Sequence, residues 1–377
     1  MDRRTFVKAT GVAGIAGLAG CSGGPSGGSD DTATETESGD SDDGMEETTA
    51  AETTESGPAA NVGMVYATGG LGDGSFNDQA QSGVIQAEED FGIEYNEAQP
   101  DEVSQFSNFQ QQFAQSTDPN YDLVCCIGFL QLDSLTENAE SYPDQDFMIV
   151  DEVVDAPNVA SYTFMEHEGS YLAGLMASLL STQDFSAGAG STAPDSATLG
   201  FVGGVESGLI QRFQAGFEAG AAAGNGDAEV LTNYTGSFND PAAGREAASA
   251  MYNEGADIVF HVAGNTGTGV FQAAQEAERF AIGVDRAQSI TRDSYADVIL
   301  GSMIKRVDTA VYNAIEAKVD GEFPGGEALS LGLAEDGVDL VYGDSLGSEV
   351  PEGVADEVAT AREDIVNGDI SVPMSPE

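Results

Sequence analysis

The sequence predicts an α/β protein of two parallel-sheet lobes, and three observations carry that reading. From Asn61 onward, short apolar runs bounded by Gly, Asp and Asn alternate with stretches of helical period, the pattern of parallel strands covered by helices on both faces. Some 317 residues remain from that point, too many for one core and suited to two lobes. The turns after several strands are rich in glycine and carry aromatic and polar residues, and in such sheets ligands bind at the carboxyl ends of the strands.

Taken in order, Asn61 to Tyr66 reads as a strand and Asn77 to Phe91 as a helix, then Glu102 to Ser116 as a helix and Asp122 to Ile127 as a strand. Further strands fall near Phe147 to Val150, Val159 to Phe164, Thr198 to Val202, Glu229 to Tyr234, Asp257 to Val262, Phe280 to Val284 and Val298 to Met303. Helices run from Gly169 to Leu180, Leu209 to Ala223, Pro241 to Glu254, Gly269 to Glu278 and Val307 to Val319. The segment Gln183 to Asp195, rich in Gly, Ala and Ser, reads as an inserted loop.

Ahead of this body lie two segments of different composition. Arg3-Arg4-Thr5-Phe6-Val7-Lys8, an apolar stretch from Ala9 to Gly20 and the small-residue site Leu18-Ala19-Gly20-Cys21 resemble a twin-arginine export signal joined to a lipobox. The apolar stretch is shorter than the roughly 20 residues that a bilayer of about 30 Å demands. The expectation is a cleaved signal, with Cys21 lipidated and anchoring the chain on the outer face of the cell membrane. Ser22 to Ala60 contains no Leu, Ile, Val, Phe, Lys or Arg and has eleven acidic residues. It cannot bury enough apolar surface to offset ordering entropy, so an extended, disordered tether is expected.

The body retains 53 of the 65 acidic residues and nine of the twelve basic ones. A charge of that sign excludes nucleic acid and anionic membrane surfaces as partners. Lysine occurs only at positions 8, 305 and 318, a pattern that resembles halophilic archaeal proteins, whose self-repulsion is screened at multimolar salt. Cys125 and Cys126 are neighbours in a buried-strand run and would point to opposite faces, so they cannot easily pair. His167 and His261 are too far apart in sequence to suggest a zinc site. No metal site and no cofactor is expected.

After the first strand comes Thr68-Gly69-Gly70-Leu71-Gly72-Asp73-Gly74-Ser75-Phe76-Asn77-Asp78, a glycine-rich turn entering a helix. It lacks dinucleotide and phosphate-loop spacing. Asn77 or Asp78 as a helix cap, with Phe76 packing beside it, is the plain structural alternative to a ligand role. A carboxylate after a strand, such as Asp285, can likewise do no more than cap a turn.

Ser75-Phe76-Asn77-Asp78, Ile127-Gly128-Phe129, Tyr142-Pro143-Asp144-Gln145-Asp146-Phe147 with Asp151, and Glu168-Gly169-Ser170-Tyr171-Leu172-Ala173-Gly174 occur in that order. Gly200-Phe201-Val202-Gly203-Gly204, Phe213-Gln214-Ala215-Gly216-Phe217, Tyr234-Thr235-Gly236-Ser237-Phe238-Asn239-Asp240, Gly283-Val284-Asp285 and Ser302-Met303-Ile304-Lys305 follow. This series resembles the basic membrane protein family over nearly all of residues 61 to 373. The resemblance implies a solute-binding lipoprotein of an ABC importer with the two-lobe, sugar-binding type of periplasmic-binding-protein fold. The expected division is 61–164 plus about 286–322 for the first lobe and 165–285 plus about 323–377 for the second.

The resemblance also implies a purine nucleoside as ligand, held in the cleft and delivered by hinge closure to a permease and its ATPase, by a monomer that catalyses nothing. A purine has two flat faces and a polar edge, which suits two aromatics and an amide or carboxylate. Phe76 and Phe213 would stack on the base, Asn77 and Asp151 would read its edge, and Gly264 would let backbone approach the ligand. Asp285 and Lys305 would hold the ribose hydroxyls. Lys305 stands out because the body has so few lysines, whereas Lys318 reads as surface. Two departures from the family pattern are Ala67, where an aspartate is common, and Gly74, where a lysine is common. A sugar or another small metabolite is the alternative cargo. A nucleoside-processing enzyme lacks a nucleophile-base or metal constellation, and a structural surface protein would not gather aromatic and polar residues at strand ends.

Overall fold

Why these residues form strands is plain from their burial. In the computed structural model, which describes residues 57–194 and 197–376, the run Val62 to Val65 is buried throughout, as are Leu123-Val124-Cys125-Cys126 and Ala256 to Val262. Continuous apolar burial on both faces is the mark of central parallel strands. In chain order the elements are β1 (Asn61–Val65), α1 (Phe76–Phe91), β2 (Glu94–Ala98), α2 (Phe106–Ala114), β3 (Leu123–Cys126), α3 (Leu132–Ser141), β4 (Asp146–Val150) and β5 (Val159–Phe164). Then come α4 (Glu166–Ser181), the hairpin β6 (Ser186–Ala187) and β7 (Gly190–Ser191), β8 (Thr198–Gly203), α5 (Gly208–Gly224), β9 (Glu229–Tyr234), α6 (Pro241–Asn253) and β10 (Ala256–Val262). The chain closes with α7 (Gly267–Ala277), β11 (Phe280–Asp285), α8 (Gln288–Thr291), β12 (Ile299–Lys305), α9 (Val307–Val319), β13 (Ala328–Leu331), β14 (Val338–Tyr342) and α10 (Glu352–Asn367).

Two six-stranded sheets result, ordered β13-β5-β4-β3-β1-β2 and β14-β12-β11-β10-β8-β9. The second repeats the first place for place, from β8 matching β1 to β12 matching β5. The sequence β14 alone breaks the pattern, pairing antiparallel with β12 where β13 pairs parallel with β5. The edge strands β2 and β9 carry Glu94, Glu97 and Glu229 at exposed positions, charges that discourage another chain from pairing there.

The division into lobes differs from the sequence expectation at two places: β12 was expected in the first lobe and β13 (Ala328–Leu331) in the second, and each lies in the other sheet. Residues 286–322 were expected wholly in the first lobe, but β12 lies in the second sheet, between β11 and β14. The chain returns to the first lobe only at α9, which packs on α1, and then supplies β13. It crosses back a last time into β14. The physical reason is that β12 continues the parallel pairing register of β11, from Ala281 opposite Ile299 to Asp285 opposite Ile304.

Several elements had no sequence expectation: β2, α3, β13, β14 and α10. β2 is half exposed and polar, and α3 (LDSLTENAES) has few apolar residues to set a period. The Glu102 to Ser116 helix starts as a 3-10 turn before α2. The inserted segment holds the β6–β7 hairpin, and Asp257 ties its flanks by accepting from Ser181 Oγ at 2.9 Å and Ala193 N at 3.0 Å. Cys125 and Cys126 are buried, free and on opposite faces, one in each of two separate apolar clusters. Lys318 is only partly exposed and pairs with Asp146 at 2.7 Å. The expected signal, Cys21 and all but the last residues of the expected tether lie outside the described residues.

Helices α4 and α5 meet backbone to backbone. A Cβ on Gly216 would lie 2.1 Å from the His167 carbonyl oxygen, and one on Gly220 would lie 2.0 Å from that of Tyr171. Only glycine allows that approach.

Candidate functional site

Both sheets point their carboxyl ends into one cleft, and the side chains there come from matching places. Phe76 opens α1 after β1 and Phe213 lies in α5 after β8. Gly128 follows β3 as Gly264 follows β10, at φ 105° and 54°. Asp151 follows β4 and Asp285 ends β11, both in left-handed backbone at φ 78° and 64°, a conformation that costs a non-glycine residue free energy and is concentrated at functional sites. Phe164 ends β5 and Lys305 ends β12.

The space between them measures about 660 Å³ including its open mouth. It is a narrow slot. All seven residues expected at the site, Phe76, Asn77, Asp151, Phe213, Gly264, Asp285 and Lys305, line it. Ala67 lines it too, with Asp73, Phe129 and Phe238.

Lys305 is the electrostatic centre. Its ammonium, 2% exposed, lies 2.5 Å from Asp151 Oδ1 and 3.1 Å from Glu166 Oε1. Burial opposes its charge, but Asp151, Glu166 and Asp285 outweigh burial and hold the ammonium above its usual range. The rings of Phe164, Phe76 and Phe213 stand 5.1, 5.3 and 5.6 Å from the same nitrogen, close enough for each face to attract the cation. Arg212 reaches the other oxygen of Glu166 at 3.6 Å. Glu166 is fully buried, and its oxygens are held by these charges alone.

Asp285 is set differently. Ser75 Oγ donates to its Oδ2 at 2.5 Å from the opposite lobe. Burial pushes its pKa up to about 7, against the lowering influence of Lys305 and of the serine. Asp73 accepts from the backbone N–H groups of Ser75, Asn77 and Asp78 and so caps α1. The alternative reading of Asn77 or Asp78 as the cap therefore gives way to Asp73. Asn77 instead ties the glycine-rich loop: its Oδ1 accepts from Ala67 N at 2.9 Å and its Nδ2 donates to Gly70 O at 3.1 Å. One acceptor lone pair and one N–H of that amide remain for a ligand.

Glu166 escaped the sequence reading because one carboxylate among 65 acidic residues carries no signal. Phe129 and Phe238 lay within quoted motifs without an assigned role. They meet edge to face across the cleft with ring centroids 6.3 Å apart. Among the described residues no group of His, Cys, Asp or Glu is arranged to hold a metal, and no helix is long and apolar enough to cross a membrane.

Such a slot can hold a flat, uncharged, hydroxyl-bearing molecule: aromatic faces bound it, polar groups sit at its edges, and its lining cation, Lys305, already faces carboxylates. A model of the family described as ABC transporter substrate-binding protein PnrA-like matches residues 60–375. The ABC transporter nucleoside-binding protein BmpA of Lactococcus lactis subsp. cremoris is 34% identical over 330 residues, covering 82% of this chain and 88% of its own. A lipoprotein of Pyrococcus abyssi is 32% identical over 289 residues, covering 74% and 68%. The crystal structure of an ABC transporter system solute-binding protein from Aeropyrum pernix K1 superposes with a TM-score of 0.73 at 27% identity, covering 84% of this chain and 94% of that one.

Proposed function

The chain belongs to the PnrA-like family of ABC transporter substrate-binding proteins, and from that premise we propose that its cargo is a nucleoside, most simply a purine nucleoside. As a member of the family it is a solute-binding component of an importer and not an enzyme. The observation that carries the cargo assignment is the pair Phe76 and Phe213, one from each lobe, lining one narrow slot with Asp151, Asp285 and Asn77 around them. Stacking supplies affinity that tolerates different bases, and edge groups supply the choice between them. Lys305, with its carboxylates, is placed to meet ribose hydroxyls, which both donate and accept. Acidic groups outnumber cations in the pocket, so a phosphate or carboxylate on the ligand would be repelled. The nucleoside-binding name of the Lactococcus relative supports the same cargo.

Capture proceeds by hinge closure about the strand crossings, after which both lobes face a permease whose ATPase drives import. We assign the protein to the outer face of the cell membrane, held by lipid on Cys21 after twin-arginine export and working as a monomer at high salt. The Arg3-Arg4 start, the Leu18-Ala19-Gly20-Cys21 site and the lipoprotein name of the Pyrococcus relative support this.

One observation favours a sugar instead: Ala67 offers no side-chain polar group and half of the Asn77 amide is spent on backbone, leaving few readers for a base edge. Thermal unfolding in multimolar KCl against nucleosides, free bases and sugars separates the two. A ligand at one hundred times its dissociation constant adds about 2.7 kcal/mol. A shift with adenosine, guanosine or inosine and none with ribose establishes the nucleoside. A shift with sugars alone reassigns the cargo.

A further inference from the structure

The glycine-rich loop before α1 is gripped from the opposite lobe by residues that do not line the pocket. Gln288 Nε2 donates to Gly74 O at 3.3 Å, Thr291 Oγ1 donates to the same carbonyl at 3.0 Å, and Arg292 donates through an NH2 nitrogen to Gly72 O at 3.0 Å. The second lobe holds these donors firmly. Gln288 accepts from Val284 N at 2.8 Å through Oε1, which also lies 2.9 Å from His261 Nε2, and its own N–H donates to Ser302 Oγ at 3.0 Å. Arg292 also reaches Asn265 Oδ1 at 3.4 Å.

The loop is shaped to receive them. Asp78 accepts from Gly72 N and Gly74 N at 2.7 and 2.8 Å, which pins the loop to its own lobe. Gly74 sits at φ 59°, and a Cβ there would lie 2.8 Å from Cζ and Nε of Arg292. A side chain at position 74 would thus occupy the space that the guanidinium now fills. Asp73, between the two glycines, caps the helix that presents Phe76 and Asn77.

We propose that Gln288, Thr291 and Arg292 form an interlobe clasp on Gly72 and Gly74, a set of positioning residues that fixes how long a captured solute is retained without choosing which solute is captured. These contacts exist only when the lobes are together, since parted lobes would give the same carbonyls to water. Their free energy therefore favours closure alike for every ligand: apparent affinity scales with the fraction of molecules competent to hold the solute, and the ranking of solutes does not change. The inference rests on the solute-capture reading, and its test does not depend on knowing the cargo.

The experiment uses the full-length chain with Cys21→Ser and one spin label on each lobe, at Glu137→Cys on α3 and Glu246→Cys on α6, both exposed. Cys125 and Cys126 are buried and out of reach of the label. Interlobe distances are measured in multimolar KCl, alone and with the solute panel, for the wild type and for Arg292→Ala, Arg292→Lys, Thr291→Val and Gly74→Ala. Arg292→Ala is expected to move the distribution to longer separations and to speed release of every bound solute by one common factor of about ten. Arg292→Lys should recover part of this loss, and Thr291→Val, which leaves the fold and Arg292 intact, should show a smaller shift of the same sign. A distribution unchanged in Arg292→Ala, or a reordering of solute preference, overturns the clasp. If no solute binds the wild type, the capture reading falls, and the distances still decide whether the clasp exists.

Discussion

The two lobes share a strand order and the same list of strand-end positions, yet they fill those positions with different electrostatics. Asp151 and Asp285 occupy matching places after the fourth and eleventh strands, in the same left-handed backbone. Asp151 faces an ammonium at 2.5 Å, while Asp285 faces a serine hydroxyl and no cation in direct contact. At the next strand end, the first lobe has Phe164 where the second has Lys305, and the two meet face to cation. Topology sets where a side chain points. Its partner across the cleft sets its charge.

The comparison is broken most severely at Lys305. Lys305→Met would leave Asp151 buried without its cation and Glu166 with Arg212 alone, and should cost about 3–5 kcal/mol of unfolding free energy at pH 8. Phe164→Leu, at the matching place, should cost roughly 1 kcal/mol. Denaturant unfolding in multimolar KCl measures both, and equal losses would mean that the charge difference between the lobes has no energetic weight.

The aspartates should respond to neutralisation to different extents, because burial raises the pKa of both and only Asp151 has an ammonium in contact to oppose it. The folded state keeps the Asp285 proton up to about pH 7, whereas the unfolded chain keeps it only to about 3.8. The native state binds more protons in that window, so this group removes stability as pH rises through it. Asp285→Asn should therefore gain on the wild type between pH 4 and pH 8, by up to about 4 kcal/mol at about 1.4 kcal/mol per pH unit. Asp151→Asn relieves a buried carboxylate as well but takes the nearer anion from Lys305, so at pH 8 its effect should lie well below the gain of Asp285→Asn. Unfolding midpoints across this pH range check both, and a loss in both variants would show that Asp285 is ionised and stabilising.

Binding tests whether the two aromatic walls are equivalent. On the nucleoside reading, Phe76→Ala should lose roughly 1–3 kcal/mol of binding free energy by titration calorimetry. Phe213→Leu, which keeps a buried apolar side chain, should lose a comparable amount. A loss at one wall alone replaces the sandwich with a one-sided shelf. The smallest effect concerns the helix caps: Ser207 Oγ accepts from Ile210 N at the start of α5, and Ser207→Ala should cost about 1 kcal/mol in thermal unfolding. Asp73→Ala should cost more, because that carboxylate serves three N–H groups at the start of α1.

The central strands were legible because parallel strands buried on both faces are written as unbroken apolar runs. The ends β2 and β13 were not, because half-exposed edge strands need no such run. Lys305 was legible for a compositional reason: in a chain with three lysines, one placed at a strand end stands out. The reverse holds for Glu166 and Asp73, whose residue type is so common here that only burial distinguishes them. The fate of Asn77 was hidden as well, since its partners Ala67 and Gly70 become neighbours only when the loop folds back.

By itself the sequence determined the α/β class, the two sheets and the strand ends at which a ligand would sit, since hydrophobic periodicity and turn residues are local properties. Only the tertiary structure decided that β12 belongs to the second lobe, that Lys305 answers to Asp151 and Glu166, that Asp285 is left with a serine, and that Arg292 closes over Gly74. Each of these depends on which groups meet across a cleft after the chain has crossed it. Charge, burial and hydrogen bonding at such meetings follow from distances that no stretch of sequence contains.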